Sequence, residues 1–194
     1  MKALCFVLAS VVLCPVSALA QSSPPLPPDD RVGDFVRASI LSPGPYVLDL
    51  GAAAIDEVAE FPPEWQHDDN GFAKRLGTRI AGGFASDVIG HSVGAMLNHR
   101  VLYEPCGCAG GWRRTGHALG RGFVTTHDDG RVVFHMSIFA AKFGAAGLAN
   151  SWYPSSYTGS DSVREGFAGI AANAALNILR EFGPDLMRAV GLGR

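Results

Sequence analysis

The chain has 194 residues, a formal net charge of −2, and 18% charged against 47% hydrophobic residues, with 24 glycines. So even a balance of charge offers no basic face, which excludes a nucleic-acid partner. The length suits a single domain with a real core.

The first element is an export signal. Lys2 supplies a positive start, Ala3 to Cys14 is almost wholly apolar, and Ala18-Leu19-Ala20 puts small residues where signal peptidase cuts. Leu13 precedes Cys14, where a lipid-anchoring signal would want a small residue. Residues 1–20 are therefore expected to be a cleaved signal peptide, leaving about 174 residues in the mature chain. Residues 21–30, with Pro24-Pro25-Leu26-Pro27-Pro28, are a Ser/Pro-rich leader in which proline blocks helix and ladder pairing. Residues 31–194 then form one helical domain.

Asp34 to Leu41 predicts a short helix stopped by Pro43-Gly44-Pro45, and Tyr46 to Glu60 a second, closed by Pro62-Pro63. The strongest element runs from Asn70 to Asn98. Phe72, Leu76, Ile80, Phe84 and Val88 recur every four residues, as one face of a helix does. A second line, Thr78, Gly82, Ser86, Gly90 and Gly94, is wholly small and admits another backbone closely. Each glycine costs a helix about 1 kcal/mol against alanine, so close packing must offset the line.

The device recurs. Gly116 and Gly120 lie four apart in a helix expected from Trp112 to Thr125, and Asp128-Asp129-Gly130 is a turn. Val132 to Trp152 follows as a helix whose first residues could instead be a short strand. It carries Ala141, Ala145 and Ala149 on one line and Ala140 and Gly144 on the next. Ser162-Val163-Arg164-Glu165 reads as a capping box opening a helix to Phe182, ended by Gly183-Pro184, with Ala168, Ala172 and Leu176 inward. The fold class expected is all-α: a compact bundle of four to five closely packed, Gly/Ala-rich helices. No stretch offers the roughly 18 uncharged apolar residues of a membrane span. The bundle is expected to be soluble, or to lie on or partly in an envelope membrane.

One motif looks catalytic. Gly90-His91-Ser92-Val93-Gly94 resembles the G-x-S-x-G nucleophile elbow of α/β-hydrolases, with Asp128 or Asp129 and then His135 following in the chain order of a triad. The elbow requires a strand just before the serine, yet helical periodicity runs straight through Val88, and no alternating strand–helix series supplies a parallel sheet. No HGG-type oxyanion loop lies upstream. Gly90 and Gly94 are already members of the small line.

Other candidates are sparser. Asp87 and His91 could share a proton or a metal, and His67-Asp68-Asp69 and His127-Asp128-Asp129 offer oxygen and nitrogen donors. Their bland readings are a helix-surface pair and two solvated loops. Arg113-Arg114 after Trp112 could meet a lipid phosphate, or simply start a helix. Trp152-Tyr153 and Tyr157 could anchor an interface or cap a core. Cys106 and Cys108 can pair with each other, pair between chains or stay free, and two thiolates alone make half a zinc site. No cofactor or metal is expected.

The run from Phe72 to Asp185 resembles a group of exported bacterial proteins of unknown function. The motifs are Gly111-Trp112-Arg113-Arg114-Thr115-Gly116, Ala149-Asn150-Ser151-Trp152-Tyr153-Pro154 and Leu179-Arg180-Glu181-Phe182-Gly183-Pro184-Asp185. The resemblance implies an exported, envelope-associated protein and brings no catalytic residues. The expectation is a non-enzymatic protein, periplasmic, outer-membrane-associated or extracellular, that packs against a membrane or a protein partner. A small secreted serine hydrolase using Ser92 is the alternative, and a redox-active Cys106–Cys108 pair the third.

Overall fold

The computed structural model describes residues 30–191, so the expected signal peptide and residues 21–29 of the leader lie outside the described residues. Helix α1, Arg31–Phe35, starts where the Asp30 carboxylate accepts from Gly33 N at 2.9 Å, and continues as a π-helical stretch over Val36–Leu41. Helix α2 spans Pro43–Val58 and begins at the very prolines expected to stop its neighbour. First-turn amides have no intrahelical acceptor, so proline loses nothing there and arrives with a helical φ.

Helix α2 and helix α3, Gly71–Met96, end alike. Glu60 and Asn98 take left-handed φ values of 55° and 53°. Phe61 N then donates to Asp56 O at 2.9 Å, and His99 N to Gly94 O at 2.8 Å, satisfying carbonyls that the last turn leaves open. Helix α4 covers Gly111–Gly120 and stops short of the expected Thr125. Strands β1, Val124–Thr126, and β2, Val132–Phe134, form an antiparallel hairpin, with Thr125 opposite Val133. Gly130 supplies φ 86° at its turn. The hairpin leads into helix α5, Met136–Ala149, and a turn leads to helix α6, Gly159–Ala189.

The helices pack as a bundle: α3 lies between α2 and α5, and α6 packs on α5 and α4. The capping box of α6 is Thr158 with Asp161, four residues earlier than expected. The helix also runs through Gly183-Pro184 to Ala189. Pro184 removes one amide, and the helix tolerates that loss near its end instead of stopping. Its inward line is Ser162, Gly166, Ile170, Ala174, Asn177 and Glu181. Ala168 and Ala172, expected inward, are exposed.

For α3 the sequence left open which side is buried. The apolar line faces out: Phe72, Ile80, Phe84 and Val88 are 40%, 37%, 50% and 39% exposed. The buried side is Gly71, Arg75, Ser86, Gly90 and Gly94. In α5 the line Ala141, Ala145 and Ala149 is buried, as its spacing predicts. Among the described residues, alanines and one isoleucine make up the buried apolar core, and eleven buried polar or charged residues share the interior with them. Large apolar side chains line the outside instead.

Candidate functional site

Small residues in the middle of α3 and α5 let the two backbones meet. A Cβ on Gly90 would lie 3.3 Å from Ala141 Cβ, one on Gly94 would lie 2.4 Å from Val101 Cγ2, and one on Gly144 would lie 3.0 Å from Ile89 Cδ1. Ser86 is buried and accepts from Lys142 Nζ at 3.0 Å. Gly82, Gly116 and Gly120 differ from the expectation: a Cβ at any of them meets nothing within 4 Å. For these three, a spacing of four follows the helix without marking a contact.

The Ser92 motif lies wholly inside α3, with no strand before it. Ser92 is exposed, and no described hydrogen bond joins it to His135 or Asp128. Asp128 instead binds Arg31, whose Nη1 donates to Gly94 O at 3.3 Å and His99 O at 3.0 Å. This clamp puts a guanidinium over the C-terminal carbonyls of α3, where the helix dipole favours a cation. His135 is 6% exposed, with Nδ1 3.3 Å from Arg121 O. Burial lowers its pKa to about 4, against a smaller opposing effect of the Arg121 carbonyl. Asp129 is held by Arg131 through its Nε at 2.7 Å.

Some of the remaining candidates also have structural partners. His91 sits edge-on to Phe35 at 5.4 Å, and burial holds its pKa below the usual value while Asp87 opposes. Asp68 accepts from Lys74 and from Asn70 N. Among the described residues, no three His, Cys, Asp or Glu side chains are grouped to hold a metal. Cys106 and Cys108 are bonded to each other, with Cα atoms 5.1 Å apart. Arg114 is not free for a lipid: it binds Glu181, Asp185 and the Phe182 ring. Trp112, by contrast, is 91% exposed, and Arg113 beside it is exposed too.

The interior charges were not read from the sequence. Arg75, 2% exposed, donates to Phe61 O at 2.7 Å, Pro62 O at 3.3 Å and Glu57 at 2.8 Å. Arg79 forks onto Asp56 at 2.6 and 2.7 Å, which raises its pKa. Asp49 reaches toward α3, its carboxylate oxygen 3.2 Å from where a Gly83 Cβ would sit. Burial, then the charge of Asp87, raises its pKa to about 6. Glu181 accepts from Tyr103 at 2.6 Å, Cys106 N at 2.9 Å and Arg114 at 2.9 Å. Burial alone would raise its pKa, but these donors carry it below the ordinary value. Arg75 and Glu181 stand four residues from Gly71 and Asn177, which the structure also buries.

On the outside, Trp65, Lys74, Gly77, Thr78, Ala81 and Trp152 line an open groove of about 380 Å³. Its aromatic edge continues through Tyr153, 5.5 Å from Trp65, to Tyr157, 4.5 Å further on. The arrangement is thus a polar interior beneath an apolar, grooved exterior. No described helix is long and apolar enough to cross a membrane. No family model matches the chain, and no curated protein or solved structure is similar enough to count as a match.

Proposed function

We propose that this is an exported protein of the cell envelope that works by packing its outer apolar face against a membrane or a protein partner, not by catalysis. The supporting observation is the outward line Phe72, Ile80, Phe84 and Val88 on α3. Its inward counterpart holds glycine, serine and arginine. Apolar area left in water has a driving force of about 25 cal/mol per Å² toward any apolar cover. Exposed apolar residues that recur in register along one helix mark an interaction surface, whereas scattered ones need no explanation.

The test is flotation of the mature chain with vesicles of phosphatidylethanolamine and phosphatidylglycerol, beside light scattering over a range of protein concentration. The expected result is co-flotation, or self-association, weakened in the Ile80→Ser/Phe84→Ser double variant. A monomer that ignores vesicles, with the variant indistinguishable, would sink the reading.

A further inference from the structure

Between the loop after α3, the β-hairpin and α6 lies a small chamber, distinct from the outer groove. Its polar lining is Tyr103, Arg121, Thr125, His135, Asn173, Asn177 and Arg180, and its volume is about 30 Å³. One ordered water needs roughly 10–15 Å³ of such space, so the chamber holds about two waters or one compact ligand. Of its lining, only Leu102 is in an exposed position.

The hydrogen bonds around the chamber are lopsided. The nearby carboxylates are already engaged: Glu181 by Tyr103 and Arg114, Glu104 by Arg100 and Arg121. Arg180 has five N–H donors, yet among the described residues only Asn177 Oδ1 accepts from it, at 3.1 Å, and no carboxylate lies within ion-pair distance. Arg121 Nε is buried with no partner. His135 Nδ1 meets the Arg121 carbonyl, which can only accept. The neutral ring therefore carries its proton on Nδ1 and a bare lone pair on Nε2, and Nε2 is likewise buried without a partner. The lining therefore combines a buried cationic donor without an acceptor, Arg121 Nε, a buried acceptor without a donor, His135 Nε2, and Arg180, whose N–H groups outnumber its acceptors. Neither chloride, which cannot donate, nor a plain cation, which two guanidiniums would repel, completes such a set.

We propose that this chamber is a binding site for a small oxyanion carrying one hydroxyl, of the size and shape of hydrogencarbonate. Its oxygens accept from Arg180 and Arg121, and its O–H donates to His135 Nε2. Binding leaves every covalent bond intact and gives Arg121 Nε and His135 Nε2 the partners they lack, with Arg180 as the further donor.

The experiment uses the mature chain at fixed pH with sodium hydrogencarbonate, and sodium nitrate at matched ionic strength. Nitrate has the same planar shape and charge and no proton to donate. Long-range proton–nitrogen spectra report the His135 ring, and thermal melts report binding. Hydrogencarbonate is expected to move the Nε2 resonance saturably and raise the melting temperature, with nitrate far weaker. Arg180→Gln should bind roughly ten- to a hundredfold more weakly, the loss of one charge-assisted contact. An equal response to nitrate, an unmoved Nε2 resonance, or an undiminished response in Arg180→Gln overturns the proposal. Should Arg180→Gln fail to fold, the comparison of the two anions on the native chain still decides.

Discussion

Half-buried Asp49 and buried His135 give the protein opposed responses to pH. Asp49 has a folded pKa near 6 against an ordinary 3.8, chiefly from burial and then from Asp87. Its folded form prefers the proton, so its contribution to stability is full below pH 3.8 and is lost as pH rises through 6. His135 has a folded pKa near 4 against an ordinary 6.5, chiefly from burial. Its folded form refuses the proton, so its contribution is full above pH 6.5 and is lost as pH falls through 4. The two windows overlap with opposite sign. These two contributions therefore oppose each other between pH 4 and 6.5. Urea unfolding at several pH values separates the terms. Asp49→Asn should gain stability above pH 6 and lose it more steeply on acidification, and His135→Gln should do the reverse. Parallel pH profiles for native protein and both variants would contradict the assignment. Ser92 gives a second prediction at this scale. It is an exposed helical serine with no described hydrogen bond to a base, so a fluorophosphonate probe should label native protein and Ser92→Ala equally little. Labelling confined to the native chain would restore the hydrolase reading.

The helices test how a stripe of small residues should be read. Gly94 lies where a Cβ would sit 2.4 Å from Val101, and Gly82 lies where a Cβ meets nothing. Gly94→Ala should therefore cost about 1–3 kcal/mol from overpacking. Gly82→Ala should stabilise by about 0.5–1 kcal/mol, because it only removes backbone freedom from the unfolded chain. Thermal unfolding of the two variants decides, and equal effects would mean that the stripe has no packing role. The helices themselves were legible in sequence, because a spacing of four over Phe72 to Val88 admits no other element. Their orientation was less legible. A periodicity gives the line that is alike, not the side that is buried. On α3 the apolar line faces out, and on α6 the inner line lies beside Asn177 and Glu181, not on Ala168 and Ala172. The hydrophobic effect normally fixes this choice, but here small residues let the helices approach and polar side chains fill what remains. The boundaries missed at Pro43 and Pro184 share one cause: proline interrupts a helix only where an amide is needed, and neither position lost a bond the helix depended on. The partners of Arg75, Asp56 and Glu181 come from different helices and loops, up to 78 residues apart, and no local pattern announces them.

For the molecule as a whole, the distribution of apolar surface has a calorimetric consequence. Unfolding exposes apolar groups to water and raises the heat capacity, typically by 12–15 cal/mol/K per residue, or about 2 kcal/mol/K for a domain of this size. That figure assumes that the large apolar side chains start out buried. Here Ile55, Val58, Phe72, Phe84 and Phe167 are already 40–68% exposed in the folded chain, and the buried apolar residues are nearly all alanine. Polar exposure on unfolding acts in the opposite direction, and this interior is rich in polar groups. The heat-capacity change of a monomer should therefore fall well short of about 2 kcal/mol/K, and an apolar cover that binds only the folded state should raise the melting temperature by mass action. Scanning calorimetry at several protein concentrations, with and without vesicles, distinguishes the cases. A small heat-capacity change with a vesicle-dependent melting temperature fits a face left open for a membrane. A near-normal change with a melting temperature that climbs with protein concentration means that a second copy covers the face. A near-normal change at a concentration-independent melting temperature would mean that the outer side chains are already covered within one chain, and the outward line on α3 would then have no partner left to explain.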